Sequence, residues 1–167
     1  MNDIAQAVAR KIEENPSLMP GQIASELEVS EFEVVAALPE PMSALLPVEH
    51  LATLMESLPN WGPMTTIVSV AGSIFEFKGA FPRGKPGHGY FNLITKGEGL
   101  HGHLKLDAVQ HIALVSKPFM GSESHSIQFF DAQGAIIFKI YLGRDSKRVL
   151  LADQVERFSE LRRTLAS

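Results

Sequence analysis

The side chains best suited to binding chemistry are concentrated in residues 83–103, which hold one tyrosine, three histidines and three cations among six glycines. Glycine lets the backbone turn sharply and approach a ligand closely. If residues 88–95 form a strand, His88, Tyr90 and Asn92 point to one face. A phenol and an imidazole near cations suit an anionic ligand that carries a metal, such as haem, whose iron can take tyrosine as an axial ligand. The alternative is a plain hairpin end, with Tyr90 half buried and its hydroxyl in water.

The charge distribution favours a small anionic partner. The 167 residues are 45% hydrophobic, enough for one well-formed core, and the net charge of −4 argues against nucleic acid or anionic membranes as partners. Residues 62–120 carry six Lys and Arg against three Asp and Glu, so this segment is +3 and the remainder −7. Four of the six histidines also lie there.

The absence of cysteine excludes disulfides, thiolate metal sites and cysteine nucleophiles. The first residues lack a basic segment followed by an apolar run, so no signal peptide is expected. No run approaches the ~20 apolar residues that a membrane span needs. We therefore expect a cytoplasmic protein without a membrane partner.

Helical periodicity dominates the first 60 residues. It predicts helices at residues 3–14, 20–28, 31–38 and 48–58, and a last helix that begins at residue 153. Ser30 and Glu33 match a capping box at the start of the third helix. Residues 17–38 also resemble a helix–turn–helix, so a DNA-binding regulator is one alternative, although the third helix has no cation to reach phosphates.

Alternating periodicity follows from Met64, with short turns between the segments, which indicates antiparallel hairpins. We predict strands at residues 65–71, 73–81, 88–95, 100–106, 109–117, 124–131 and 135–142. The fold class is therefore α+β, with an N-terminal helical unit (residues 1–60) packed on a multistranded antiparallel sheet with a closing C-terminal helix (residues 61–167). Residues 100–106 would place His101 and His103 on one face, which also permits a zinc site if a further ligand came from His88, His111 or Glu98.

Four segments resemble the intracellular haem-utilisation proteins of the HutX/ChuX family. They are residues 19–24 (MPGQIA), 34–39 (VVAALP), 87–93 (GHGYFNL) and 124–130 (SHSIQFF). The resemblance extends from Ile4 to Leu165. It implies a fold similar to one half of the larger, internally duplicated haem-handling proteins, and a homodimer that recreates the duplicated architecture.

The resemblance also implies a function and a set of site residues. The function is non-enzymatic: haem b is cargo, bound after import and passed on, with a haem-degrading enzyme as one acceptor. Tyr90 would be the axial ligand of the iron, His101 the best counterpart of a haem-contacting histidine, and His88 and His111 weaker ones. Arg83, Lys85 and Lys96 are positioned in the sequence to meet the propionates. A haem-degrading enzyme is the other alternative, since duplicated relatives can break the macrocycle.

Overall fold

The computed structural model describes residues 3–166, and this part of the chain contains five α-helices and two antiparallel sheets. The helices are α1 (Asp3–Glu14), α2 (Pro20–Leu27), α3 (Glu31–Ala36), α4 (Leu51–Ser57) and α5 (Ala152–Thr164). The strands are β1 (Ser43–Leu46), β2 (Pro63–Val70), β3 (Ser73–Ala80), β4 (Arg83–Gly87), β5 (Tyr90–Ile94), β6 (His103–Leu104), β7 (His111–Ser116), β8 (His125–Phe130) and β9 (Ile136–Tyr141). The predicted α+β class is confirmed. None of the helices in residues 3–166 is long and apolar enough to cross a membrane.

The larger sheet has six strands in the order β1-β7-β8-β9-β2-β3, and its strand β7 is covered on both faces. Helices α1–α3 pack on the face that presents Ala113 and Val115, and form one apolar core with them. The opposite face presents Ile112 and Leu114 to a second core, which includes α4, α5 and the smaller sheet. Alternation along β7 therefore sends successive side chains into two different cores.

The helical unit is formed and anchored by specific polar contacts. Ser30 accepts a hydrogen bond from the Glu33 amide at 3.1 Å, and the Glu33 carboxylate accepts one from the Ser30 amide at 2.8 Å, so the predicted capping box is confirmed. Glu31 forms an ion pair with Lys139 of β9 at 3.0 Å, and both side chains are largely buried. Lys117 donates to the carbonyl of Pro16 at 2.8 Å, and burial lowers the pKa of this lysine. The proposed division of the chain at residue 60 stays a prediction.

The smaller sheet, in the order β4-β5-β6, was not predicted as a separate sheet. Residues 82–87 lie between two of the predicted strands, but Arg83–Gly87 form a strand of their own, β4, and pair with β5. The two strands are joined by His88 and Gly89, both with positive φ (53° and 82°), as in the tight turns that favour hairpins. A Cβ on Gly84 would lie 2.3 Å from Phe91 Cε1, so glycine at this position lets β4 lie against the Phe91 ring.

Two other strand predictions were wrong in part. Residues 43–46, where no strand was predicted, form β1 and pair with β7 at the edge of the larger sheet. The strand predicted over residues 100–106 shortens to His103–Leu104, because the glycine-rich chain before it is irregular. His101 therefore lies outside any strand.

The last helix is tied to the sheet by Gln154, whose side chain is completely buried. Its amide nitrogen donates to the carbonyl oxygens of Trp61 and Pro63, both at 2.9 Å. Its oxygen accepts a hydrogen bond from the Gly143 amide at 2.6 Å. One side chain thus satisfies three backbone groups from the segments that enter β2 and leave β9.

Candidate functional site

The glycine-rich stretch folds into the β4-β5-β6 sheet, whose two faces differ in chemistry. Paired residues of an antiparallel ladder share a face, so the register decides which side chains meet. Phe91 and Leu93 point inward and are buried in the core. The other face, here called the outer face, is turned away from that core. It carries the side chains of Arg83, Lys85, Tyr90, Asn92, Ile94 and His103.

Tyr90 lies at the start of β5 and is 45% exposed. The ring of His103 stands edge-on to it, with ring centroids 5.9 Å apart. The ammonium of Lys105 lies 5.3 Å from the Tyr90 ring centroid, a cation–π contact, and 3.4 Å from the carbonyl oxygen of Gly89. The phenol ring is therefore in contact with two side chains while nearly half of the residue stays exposed, so that a ligand can approach it from solvent.

His103 is joined to β5 through Asn92, its partner across the ladder. The Asn92 Oδ1 and His103 Nδ1 atoms are 2.7 Å apart. The Asn92 nitrogen in turn donates to the carbonyls of Lys85 and Gly87, both at 3.1 Å. This chain of contacts fixes the imidazole next to Tyr90 and links it to the hairpin that carries the phenol.

The predicted cations lie on the same face, with Lys85 in the middle of β4 and Arg83 at the end of the sheet away from Tyr90. Arg83 donates to the Asn60 side chain at 3.0 Å, and Lys85, across from Asn92, is exposed.

Next to Arg83, a cleft of about 360 Å³ opens between the two sheets and includes Phe77 and Ile94. A second, apolar recess of about 230 Å³ adjoins Tyr90. The face thus combines an oxygen ligand, apolar contact surface and positive charge, which are the groups that an amphiphilic, dianionic porphyrin needs.

The three histidines predicted from sequence, His88, His101 and His111, lie in three different parts of the fold. His101 is exposed and bonds to the carbonyl of Gly97 at 3.0 Å, in the loop before β6. His88 occupies the exposed hairpin turn beside Tyr90. His111 stacks on Phe32 of α3, with ring centroids 3.9 Å apart, and so packs between β7 and the helical unit.

The structure brings His103 to Tyr90, although the sequence interpretation considered His103 only as half of a zinc pair. The signal that could have found it is its ladder position opposite Asn92, two residues after Tyr90. Within residues 3–166 no group of three or more His, Asp and Glu side chains is arranged to hold a metal ion. The zinc alternative therefore has no support among these residues.

Comparison of the chain with known proteins identifies its family. The family model for haem utilisation ChuX/HutX matches residues 44–161. The intracellular heme transport protein HutX of Vibrio cholerae is 54% identical over 161 residues, which cover 96% of this chain and 83% of HutX. The structure of the heme binding protein ChuX is 37% identical with a TM-score of 0.82, and the match covers 92% of this chain and 96% of ChuX.

The chain belongs to the ChuX/HutX haem-utilisation family, as its sequence segments predicted. Holo-PhuS of Pseudomonas aeruginosa has a similar fold, with a TM-score of 0.79 at 22% identity. The match covers 99% of this chain but 45% of PhuS. The predicted likeness to about half of a larger fold is confirmed.

Proposed function

We propose that this protein binds haem inside the cell after import and carries it to an acceptor. The observation that carries this proposal is the outer face of the β4-β5-β6 sheet, where the accessible Tyr90 lies on the same surface as Arg83 and Lys85. The 54% identity to a protein named for intracellular haem transport supports it. Addition of one equivalent of ferric haem should give a stoichiometric complex with a phenolate-to-iron charge-transfer absorption. The proposal would be refuted if the protein took up no haem.

Tyr90 is the axial ligand in this proposal, and haem b is the cargo. A phenolate oxygen is a hard, anionic ligand that suits ferric iron. The ammonium of Lys105 lies over the Tyr90 ring and places a positive charge beside this position. The exposed ring permits the porphyrin to reach the oxygen from solvent, as a carrier that must also release its cargo requires.

Replacement of Arg83 and Lys85 together by Ala should weaken haem binding modestly. Each exposed cation that meets a propionate contributes on the order of 0.2–1 kcal/mol, so the pair should change the dissociation constant by roughly twofold to thirtyfold. The effect should shrink as salt is raised, because salt screens exposed charges. Titration of the protein with haem at two ionic strengths measures it.

The matched control replaces Lys147 and Arg163, two exposed cations elsewhere on the chain, by Ala. It removes the same net charge and should leave haem affinity unchanged within error. Equal weakening in both double variants would mean that only net charge matters. Unchanged binding in the Arg83 and Lys85 variant would place the propionates elsewhere, with Lys96 or Lys105 as the next cations to test.

We also propose that the protein forms a homodimer, as the family resemblance implies. The apolar residues 135–140 leave no open strand edge, because they lie mostly in β9, which is paired with β8 and β2 on its two sides. One edge of the larger sheet is β3, where all eight residues are exposed, including Phe75 (54%) and Phe77 (39%). A long, apolar edge strand is normally paired or covered, and a second copy of the chain would do both.

Sedimentation at micromolar concentration should give the mass of two chains. Phe75→Glu combined with Phe77→Glu should give a monomer, because two charges would be buried at the interface without partners. Val149→Glu is the matched control, since Val149 is a comparably exposed apolar residue (58%) outside β3. A wild-type monomer, with and without haem, would contradict the dimer.

The acceptor in this proposal is a haem-degrading enzyme, and the protein itself leaves the macrocycle intact. The 54% identity to a protein named for intracellular heme transport favours a carrier over a degrading enzyme. Product analysis after reductant and oxygen are added to the complex tests this point. Intact haem supports a carrier, and open-chain tetrapyrroles would support an enzyme.

The DNA-binding alternative is likewise not favoured by the structure. Its second helix, α3, has only six residues, and Val34 and Val35 are completely buried against the sheet. The helix presents the carboxylate of Glu33 to solvent and contains no cation. Such a surface repels phosphates.

A further inference from the structure

Asn92 is held in one orientation by the backbone around it. Its Nδ2 atom lies 3.1 Å from the carbonyl oxygens of Lys85 and Gly87 and 3.4 Å from that of Tyr90. An amide oxygen in that place would face three acceptors, so the nitrogen must point to the carbonyls. The Asn92 oxygen then faces the Nδ1 atom of His103 at 2.7 Å.

This contact determines the tautomer of His103. Because an amide oxygen can only accept, Nδ1 must carry the proton in this hydrogen bond. In the neutral ring, Nε2 keeps its lone pair, and no group within residues 3–166 is bonded to it. The imidazole is also exposed. Histidines that bind metals usually have their other ring nitrogen tied to an acceptor in this way.

We propose that His103 takes the haem iron over from Tyr90 when the iron is reduced, with Asn92 as the positioning residue; this rests on the proposed function. The two rings lie on the same face with centroids 5.9 Å apart. Each side of a porphyrin offers one axial position, so the two side chains bind in turn, after a lateral shift of the haem. The hard phenolate suits ferric iron, and the softer, neutral imidazole suits ferrous iron.

The exchange consumes one electron and one proton. A one-electron reductant, such as a reduced flavin or dithionite, converts ferric to ferrous iron. The bond between the iron and the Tyr90 oxygen breaks, and the phenolate takes up a proton from water. The lone pair of His103 Nε2 forms a bond to the iron. The proton on Nδ1 stays there and continues to donate a hydrogen bond to Asn92. Reduction therefore changes the residue that holds the haem, whereas a site with Tyr90 alone would lose it.

The tautomer is tested on the protein without haem. Long-range proton–nitrogen NMR of protein with ¹⁵N-labelled histidine should show His103 protonated at Nδ1 at a pH where the ring is neutral. Asn92→Ala should shift the ring toward the Nε2-protonated form, which predominates in free histidine. A His103 ring that is protonated at Nε2 in the wild-type protein would overturn the role of Asn92.

The exchange is tested on the haem complex by resonance Raman and absorption spectra before and after dithionite. The wild-type protein should show a phenolate-bound ferric haem and a histidine-bound ferrous haem. His103→Ala should keep the ferric spectrum, lose the iron–histidine vibration on reduction, and release ferrous haem to excess apo-globin faster by about tenfold or more. His50→Ala is the matched control, because that histidine lies outside the β4-β5-β6 sheet, and it should behave as wild type.

The outcomes separate this inference from the proposed function. A wild-type protein that binds no ferric haem refutes the proposed function. Ferric binding through Tyr90 with an unchanged ferrous spectrum in His103→Ala refutes only the exchange. Loss of the ferric signature in His103→Ala would also refute it, because His103 would then be needed before reduction.

Discussion

Tyr90→Phe should abolish the phenolate-to-iron charge-transfer band of the ferric complex and speed haem loss. Loss of groups that only support a metal ligand costs about 10–100-fold in affinity, and loss of the ligand itself should cost at least that much. The phenyl ring keeps its contacts with His103 and Lys105, so the change tests the hydroxyl and leaves the packing in place. Absorption spectra and the rate of haem transfer to excess apo-globin measure the two effects.

The matched control for this variant is Tyr141→Phe. Tyr141 is the other tyrosine of the chain and lies in β9 of the larger sheet, away from the β4-β5-β6 sheet. It should retain the wild-type spectrum and rate. If Tyr90→Phe kept the charge-transfer band while a histidine variant lost the ferric spectrum, Tyr90 would not be the axial ligand. The proposal that the protein carries haem would still hold.

Gln154→Leu should destabilise the fold more than any change on the outer face. Leucine fills a similar volume but leaves the carbonyls of Trp61 and Pro63 and the amide of Gly143 without their partner. Each buried group without a partner costs about 1–3 kcal/mol, so the free energy of unfolding should fall by about 3 kcal/mol or more. For a chain of this length, that lowers Tm by roughly 6–12 °C. Thermal and urea unfolding of the haem-free protein measure the loss.

Gln110→Leu provides the matched comparison. Gln110 is exposed, and its side chain makes one hydrogen bond, to the carbonyl of Asp107 at 3.1 Å. The same chemical change there should alter stability by less than about 0.5 kcal/mol. Equal Tm values for Gln154→Leu and the wild-type protein would mean that water replaces the amide at all three backbone groups.

The elements that sequence predicts best are those in which local signals agree with the tertiary contacts. Helix α1 follows its apolar spacing from Asp3 to Glu14, and the capping box sets the start of α3. Strand β4 could not be predicted in this way, because two glycines and a proline among its five residues oppose a strand. It forms because Gly84 lies against the Phe91 ring, a contact between residues on different strands.

The candidate site shows the same division between local and tertiary information. Tyr90 was predicted from its glycine-rich surroundings and from family resemblance, and its ligand role stays a prediction. The choice between His101 and His103 depends on where β6 begins and which residue pairs with Asn92. The surroundings of His111 depend on which helix covers β7, since its ring stacks on Phe32 of α3. The alternation of side chains along one strand predicts neither the pairing partner of Asn92 nor the helix that covers β7.

The two-residue turn at His88 and Gly89 has a consequence for how such a surface can change over time. Because side chains alternate along β5, the loop length decides which aromatic ring reaches solvent, Tyr90 or its neighbour Phe91. A single inserted codon in the turn could slip the pairing by one residue, bury the phenol and expose the hydrocarbon ring. Point substitutions can therefore adjust this surface gradually, whereas insertions and deletions in the turn would switch its chemistry in one step.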